Sequence, residues 1–346
     1  MSLPYIVGHP IKKPSDFYGF HELVALFYNI IGGENAHSVS LLGLKRSGKT
    51  SLLYHLAHSS VLAKYVANPD DYVTLYVDFS TCNTPTKFYR QVYQELIRRL
   101  GNISAQEHEH LRDLPGADDI NWLLRQYPGR RVILLLDEFD RVIHGTFDQD
   151  FLSELRAIAS ASDNELAIVT ASYDNLEHVG GKLGLTSTSP FYNIFYPKYL
   201  YLNGLDEVAA RDLIRKPAEQ EGVFFNDDEV KSIHQMAGTL PFLLQMSAGK
   251  WFLAKKRNEQ LLNLEEIQRE LVDEARPYCE NWWRDLEEEN RILLGEVAKK
   301  ESIASNSFQD PAMEDRIRFL KNYGLVIEKE GALHINGLIL ATCIHR

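Results

Sequence analysis

The stretch from residue 43 to residue 50 reads Gly-Leu-Lys-Arg-Ser-Gly-Lys-Thr, which matches the phosphate-binding pattern G-x-x-x-x-G-K-[ST] at every fixed position. Gly43 and Gly48 let the backbone turn tightly and bring its N–H groups close to phosphate oxygens. Lys49 supplies a positive charge for the β- and γ-phosphates, and Thr50 offers a hydroxyl ligand to Mg²⁺. The motif therefore predicts a nucleoside triphosphate site.

The sequence on either side of this loop supports the same interpretation. Residues 38 to 42 are short, apolar and rich in strand-forming types, and residues 50 to 57 have a helical composition with leucines on one face. A helix that begins here directs its positive N-terminus at an anion. Besides the four fixed positions, the residues expected to bind the phosphates are Leu44, Lys45, Arg46, Ser47 and Ser51.

A second motif begins at residue 131, where five consecutive apolar residues lead into Asp137 and Glu138. This pattern predicts a strand buried on both faces whose C-terminal end lies at a site. Two adjacent acids at the end of such a strand are costly without a metal or a partner. We expect Asp137 to hold Mg²⁺ and Glu138 to act as general base towards the attacking water. The alternative is a solvated loop after a core strand.

A third candidate strand covers residues 166 to 170 and ends in Thr170, Ala171 and Ser172. A polar side chain at the tip of this strand could touch the γ-phosphate or the attacking water. Thr170 and Ser172 are both candidates, and the sequence does not choose between them. A hydroxyl that only caps the strand end is an equally good interpretation.

Composition limits the class of protein. The chain has 346 residues, of which 45% are hydrophobic, so we expect a globular protein of two or three domains. No apolar run approaches the roughly 20 residues that span a bilayer, and no secretion signal is visible, which predicts a cytoplasmic protein. The three cysteines have no metal-ligand spacing. A net charge of −11 argues against broad nucleic-acid binding.

The order of predicted elements divides the chain into three parts. Strands alternate with helices over residues 1–203, which predicts an α/β domain with a mostly parallel sheet. Successive helices over residues 204–262 predict a helical lid. Residues 263–346 begin with a helical linker and end with a helix followed by two short strands, which is the pattern of a winged-helix module.

With these motifs, the chain resembles the AAA+-related P-loop ATPases, and within them the prokaryotic STAND-type ATPases. Phe17, Tyr18 and Gly19 look like the family's box before the first strand, whose residues pack around adenine. Residues 237 to 241 are similar to the family's lid segment, which would place Pro241 near the nucleotide. Two positions depart from the family pattern: Phe20 stands where an arginine is common, and Thr239 replaces a common second glycine.

The resemblance implies an ATPase of the ASCE type that uses ATP and Mg²⁺. Ring-forming motors of this superfamily usually carry an arginine finger, yet the chain contains no arginine from Ala157 to Ala210. That charge can be worth about 10³–10⁵ in rate. We therefore expect a slow regulatory switch, monomeric or oligomeric depending on nucleotide, in which the lid and winged helix close over ADP and open with ATP. Such a switch implies a protein partner or effector.

Two rival functions remain. The winged helix could serve a DNA-associated ATPase of the loader or origin-binding type, but residues 311–346 carry five Lys or Arg against four Asp or Glu, a poor electrostatic match for DNA. The chain could also be a nucleotide-dependent interaction module without catalysis. The intact pair of Asp137 and Glu138 argues against that second rival.

Overall fold

The fold is described from a computed structural model, which covers residues 3–33, 37–100, 114–161, 165–257, 264–305 and 310–344. Contacts between Cα atoms divide the chain into two compact units. The sheet unit comprises residues 21–42 and 49–200, and the helical unit comprises residues 1–20, 43–48 and 201–346.

The sheet unit is built on five strands in the order β2-β3-β4-β1-β5. The strands are β1 (Ser38–Leu42), β2 (Tyr72–Asp78), β3 (Arg131–Asp137), β4 (Leu166–Ser172) and β5 (Phe195–Tyr201). The pairs β2/β3, β3/β4 and β4/β1 are parallel. The α/β fold with a parallel sheet, predicted from the alternation of strand and helix patterns, is confirmed.

Burial along each strand follows its place in the sheet. Every residue of β1, β3 and β4 is buried, because helices cover both faces of the central strands. In contrast, β2 at one edge alternates between buried and half-buried positions. The apolar run that precedes Asp137 is therefore the centre of the core, and its carboxyl end emerges between two neighbouring strands.

Seven helices belong to the described part of the sheet unit: α1 (His21–Ile31), α2 (Lys49–Ala57), α3 (Ser59–Leu62), α4 (Pro85–Leu100), α5 (Ala117–Arg125), α6 (Gln149–Ala159) and α7 (Leu176–Lys182). The first helix begins at His21. Gly19 and Phe20 adopt positive φ angles of 80° and 56°, which a right-handed helix does not contain.

Buried aromatic rings fix the chain directly after the strand ends. Phe79 follows β2 and Phe139 follows Glu138, and their ring centroids lie 5.5 Å apart in an edge-to-face arrangement. Phe147 and Phe151 extend the cluster, with 4.6 Å between their centroids. Rings this large stabilise the turns that carry the acidic residues, because burial of each removes a large apolar surface from water.

The helical unit contains α8 (Glu207–Gln220), α9 (Asp227–Ala237), α10 (Pro241–Lys256), α11 (Leu264–Asp285), α12 (Glu288–Lys300), α13 (Pro311–Asn322) and α14 (Leu338–Ile344). Its three strands, β6 (Ile303–Ala304), β7 (Val326–Lys329) and β8 (Ala332–Ile335), form an antiparallel sheet in the order β6-β8-β7. The expected pair of short strands is present, and β6 adds a third that the sequence pattern did not predict.

Candidate functional site

The phosphate loop has the local structure that the motif predicts. Strand β1 ends at Leu42, the loop occupies residues 43 to 48, and α2 begins at Lys49. The N–H of Ser47 donates to the carbonyl of Leu44 at 3.0 Å, which closes a turn. Arg46 and Gly48 have φ angles of 68° and 103°. Successive turns of this kind direct several N–H groups towards one point and so favour an anion.

The two glycines of the loop are required for different reasons. A Cβ on Gly43 would lie 2.5 Å from Ser47 Oγ and 3.2 Å from Leu202 Cβ, so no side chain fits there. No atom lies within 4 Å of the same position on Gly48, where the positive φ is the constraint. Ser47 Oγ is buried and has no hydrogen-bond partner among the described residues. A buried hydroxyl in a loop of this shape fits a phosphate ligand.

Lys49, Thr50 and Ser51 form the first turn of α2. Lys49 is buried, with 7% of its surface exposed, and Ser51 is buried beside it, whereas Thr50 is half-buried. Phosphate groups are suitable ligands for both a lysine ammonium and the positive end of a helix, so the residues present fit a nucleotide.

Asp137 lies at the end of β3 and is 2% exposed. The hydroxyl of Tyr76 donates to Asp137 Oδ2 at 2.7 Å, and the N–H of Glu138 donates to Oδ1 at 3.0 Å. Burial, and then the charge and hydrogen bond of Asp137, raise the pKa of Tyr76, so the tyrosine stays a protonated donor. Two anchored carboxylate oxygens are ligands of the kind that Mg²⁺ prefers.

Glu138 has a left-handed backbone with φ of 52°, which turns the chain sharply after Asp137. Its carboxylate is half-exposed and lies 3.3 Å from the Nε of Arg141, an ion pair that is worth about 1 kcal/mol or less in water. Asp140 Oδ2 accepts from the N–H groups of Tyr173 and Asp174 at 3.0 and 3.4 Å. The carboxylate of Glu138 thus remains accessible, while Asp140 anchors the turn after β4.

The two candidate residues on β4 occupy different places. Thr170 is fully buried within the strand, and its hydroxyl donates to Ser40 Oγ on β1 at 2.8 Å. Ser172 is the last residue of β4 and pairs with Leu42, the residue before the phosphate loop. The Ser172 hydroxyl donates to the carbonyl of Asp174 at 2.8 Å. Of the two, Ser172 lies at the strand tip, and contact of either residue with a phosphate stays a prediction.

Tyr18, Gly19 and Pro241 all lie in the helical unit. A Cβ on Gly19 would lie 2.7 Å from Leu205 Cδ2 and 2.9 Å from Ala209 Cβ, so only glycine fits against the start of α8. Tyr18 is half-buried, and burial, followed by the charges of Asp16 and Asp212, raises its pKa. Contact of these residues with adenine stays a prediction.

Pro241 is the first residue of α10, and the turn before it is held by Asn336. The N–H of Thr239 donates to Asn336 Oδ1 at 2.9 Å, and Asn336 Nδ2 donates to Thr239 Oγ1 at 2.8 Å. The threonine that departs from the family pattern therefore supplies an acceptor that a glycine would lack.

The side chains of Lys45 and Arg46 have contacts that sequence reasoning missed. Lys45 Nζ lies 2.8 Å from Asp285 Oδ2, and Trp282 Nε1–H donates to the Lys45 carbonyl at 3.0 Å. The guanidinium of Arg46 lies 4.4 Å from the ring centroid of Tyr278. In the sequence, only the spacing of Tyr278, Trp282 and Asp285 indicates that they lie on one face of α11.

Among the described residues, the three cysteines, Cys82, Cys279 and Cys343, form no disulfide. In the part of the chain that the structure describes, no helix combines the length and the apolar character needed to cross a membrane.

The comparisons with known proteins agree with this geometry. A family model described as Novel STAND NTPase 2 matches residues 28–302. The Walker-type ATPase PABY2304 of Pyrococcus abyssi has a similar fold, with a TM-score of 0.66 at 13% identity, covering 98% of this chain and 99% of that one. The ORC2 protein of Aeropyrum pernix is similar with a TM-score of 0.51 at 15% identity, covering 98% of this chain and 94% of that one. No curated protein sequence matches.

Proposed function

Because the chain belongs to the Novel STAND NTPase 2 family, we propose that it is a Mg²⁺-dependent ATPase that turns over slowly and whose bound nucleotide controls its domain arrangement. The observation that carries this proposal is the anchored, buried carboxylate of Asp137, followed by the accessible carboxylate of Glu138, in a chain with a complete phosphate loop. Binding alone would not require the second acid.

Each residue has a separate task in the proposed reaction. Lys49 and the N–H groups of residues 44 to 51 bind the phosphates, and Thr50 and Asp137 hold Mg²⁺. The metal, when bound, neutralises charge on the phosphate oxygens. Glu138 accepts a proton from the attacking water while the water oxygen bonds to the γ-phosphorus and the bond from that phosphorus to the ADP oxygen breaks, giving ADP and phosphate. Ser172 at the tip of β4 senses the γ-phosphate.

The proposed nucleotide-dependent switch is supported by the segments that belong to the same compact unit as the phosphate loop. The phosphate loop, the turn before Pro241 and the three-stranded sheet all belong to the helical unit. A group that differs between ATP and ADP can shift an equilibrium only by contacting its two states differently. Without an arginine between residues 157 and 210, we expect turnover well below the roughly 1–100 s⁻¹ of kinases.

Charge in the helical unit does not favour DNA as the partner. Among the basic residues after position 310, Arg318 pairs with Asp315 and Lys321 pairs with Glu328, each at 2.6 Å. Cations that are neutralised within the protein release few counterions from a phosphate backbone. A protein effector remains the partner that we propose.

The catalytic part is tested by two variants and two controls. Lys49→Ala should abolish binding of a fluorescent ADP analogue, whereas the exposed Lys64→Ala should not. Glu138→Gln should keep binding and lower phosphate release by about 10²–10⁴-fold, whereas Glu95→Gln on α4 should leave it unchanged. Hydrolysis by Glu138→Gln at the parent rate would overturn the assignment of the general base.

The switch part needs a readout of shape. Glu138→Gln can be held with ATP or with ADP, and small-angle scattering and limited proteolysis should then differ between the two states. Identical profiles would contradict the proposed switch. Assembly into a ring with ATP, detected by light scattering, would instead support a motor.

A further inference from the structure

Three residues of α11 and one of α10 surround the two variable positions in the middle of the phosphate loop. Trp282 is 3% exposed, and its indole N–H donates to the backbone carbonyl of Lys45. On the next turn of α11, Asp285 pairs with the Lys45 ammonium. One turn earlier, the Tyr278 ring forms an edge-to-face pair with Phe242, with 4.7 Å between centroids. The loop is therefore held at its backbone and at its side chains.

The bond from Trp282 acts on a peptide that belongs to the phosphate-binding backbone. The carbonyl of Lys45 and the N–H of Arg46 are parts of one planar peptide unit, and they point in opposite directions. Fixing the carbonyl on the indole therefore also fixes the direction of the Arg46 N–H. That N–H is one of the donors that a loop of this pattern offers to phosphate.

The same segment contains a backbone conformation that needs support. Arg46 has a φ of 68°, a region that residues other than glycine adopt at a cost. Its guanidinium lies 4.4 Å from the Tyr278 centroid and 5.0 Å from the Phe242 centroid, both within the range of a cation–π interaction. This aromatic pair holds the side chain and so stabilises the left-handed backbone below it.

We propose that Trp282, with Asp285 and Tyr278, positions the phosphate loop for nucleotide binding, so that α11 sets the affinity of the site. The inference rests on the proposed function, because it concerns the affinity of the same loop. These are positioning residues: they act through Lys45 and Arg46. Conversely, a nucleotide that reorients the Lys45–Arg46 peptide is sensed by α11.

Adjacent tryptophans provide a matched pair of variants. Trp282→Phe keeps the ring volume in large part and removes the N–H donor, while Trp283→Phe makes the same change at a half-buried position where Trp283 approaches Gly295 of α12. We expect Trp282→Phe to weaken binding of a fluorescent ADP analogue by about three- to tenfold, the loss that one net hydrogen bond produces. Trp283→Phe should bind as the parent chain does.

Tryptophan emission gives a readout that simple loss of packing would not move. The chain has four tryptophans, and among the described contacts only Trp282 donates to the phosphate loop. Adding ADP and Mg²⁺ should change the emission of the parent chain and of Trp283→Phe, and this change should be lost in Trp282→Phe. Measured over a range of ATP concentrations, Trp282→Phe should have a raised KM and a nearly unchanged kcat. A lowered kcat with unchanged KM would overturn the positioning role.

A charge exchange tests Asp285 without depending on the indole. Lys45→Glu and Asp285→Lys should each weaken binding about twofold or more, and the double variant should regain affinity because the pair is restored. Asp273→Asn, on the same helix but paired with Arg276, is the control. If the loss of affinity in the double variant equals the sum of the losses in the two single variants, Asp285 has no positioning role.

The two proposals fail in distinguishable ways. A parent chain that binds no nucleotide, or a Lys49→Ala variant that binds as the parent does, would overturn the proposed function and this inference with it. Binding that is lost in Lys49→Ala but equal in Trp282→Phe and Trp283→Phe would overturn the inference alone.

Discussion

The carboxyl edge of the sheet and the phosphate loop are held in place in different ways. At the edge, Asp137 is anchored by Tyr76 of the adjacent strand and by the N–H of the next residue. In the loop, Lys45 is held by Asp285 and Trp282, which follow it by 240 and 237 positions in the sequence. The first arrangement comes from sheet order, and the second comes from the packing of distant helices.

The two regions differ in whether the residues that perform the proposed reaction are also the residues that hold the region in place. At the edge, Asp137 both takes part in the proposed chemistry and is anchored. In the loop, the motif positions carry the chemistry, and the two variable positions carry the contacts to α11. A change at the edge should therefore lower turnover and leave binding intact, whereas a change around the loop should lower binding and leave turnover at saturation intact.

The largest expected effect is at the edge. Asp137→Asn keeps an oxygen that can accept from Tyr76 but removes the charge that would hold Mg²⁺. Loss of a metal's contribution of several kcal/mol corresponds to about a 100-fold or greater fall in turnover. Phosphate release measured over a range of Mg²⁺ concentrations checks this, with nucleotide binding expected to change little.

Asp78→Asn is the matched control for that variant. Asp78 ends β2 and is paired in register with Asp137, but its carboxylate accepts from the N–H of Ser80 in the following turn. Turnover of Asp78→Asn should stay near that of the parent chain. If both variants lose activity equally, the edge as a whole is structural, and the comparison with the loop breaks down.

A second effect is expected in the helical unit, where Asn336 holds the turn before Pro241. Asn336 is fully buried and donates to Thr239 Oγ1 and to the Gly324 carbonyl at 2.8 and 2.7 Å. Asn336→Ala leaves these acceptors and the Thr239 N–H without their partner, which should lower the free energy of unfolding by about 2–3 kcal/mol. Urea unfolding measures it, with Asn322→Ala on α13 as control.

Nucleotide binding by the same variant tests whether the turn before Pro241 affects the phosphate loop. Asn336→Ala should also weaken nucleotide binding, because the turn before Pro241 belongs to the same unit as the phosphate loop. Unchanged affinity despite the loss of stability would show that the turn before Pro241 and the phosphate loop are independent.

The sheet could be predicted because its signals are local. An apolar run followed by acids defined β3 to within one residue, and the residues before Gly43 defined β1. Strand β4 continues past the expected Thr170 to Ser172, because its pairing with β1 extends to Leu42. Strand β5 begins at Phe195, which is buried in the core.

The contacts that distinguish the two regions could not be predicted. Nothing near Trp282 in the sequence relates it to Lys45, and nothing near Asn336 relates it to Thr239, because both pairs meet only through the packing of remote helices and strands. The hydrogen bond between Tyr76 and Asp137 could be predicted in part from the sequence. Once β2 and β3 are neighbours in parallel register, a tyrosine near the end of β2 is within reach of the acid.

A smaller effect tests that bond. Tyr76→Phe removes the donor to Asp137 Oδ2 and should lower turnover a few-fold, since the carboxylate loses an orienting hydrogen bond worth about 1 kcal/mol. Tyr28→Phe removes a hydroxyl that donates to the Leu56 carbonyl at 2.7 Å in the same unit. Both variants should lose similar stability in urea, but only Tyr76→Phe should lose turnover. Equal turnover would mean that Tyr76 only stabilises the fold.

The smallest expected effect compares how acid acts on the two units through one histidine in each. Burial, and then the charges of Lys64, His21 and His58, lower the pKa of His55 on α2 to about 4. Burial, followed by the charge of Lys329, lowers the pKa of His234 on α9, with Glu207 acting in the opposite direction. Both histidines are therefore neutral in the folded protein at pH values where the unfolded chain is protonated.

The stability that neutral His55 contributes is present above pH 6.5 and is lost as the pH falls towards 4, because the unfolded chain binds the extra proton. His55→Gln should flatten this fall in urea unfolding free energy between pH 7 and pH 5. The change in unfolding free energy should be about 1 kcal/mol, because water reaches the half-buried ring and screens it. His234→Gln should flatten the curve in the same direction. A larger effect from His234 would place the acid-sensitive part in the helical unit, with the phosphate loop, rather than on α2.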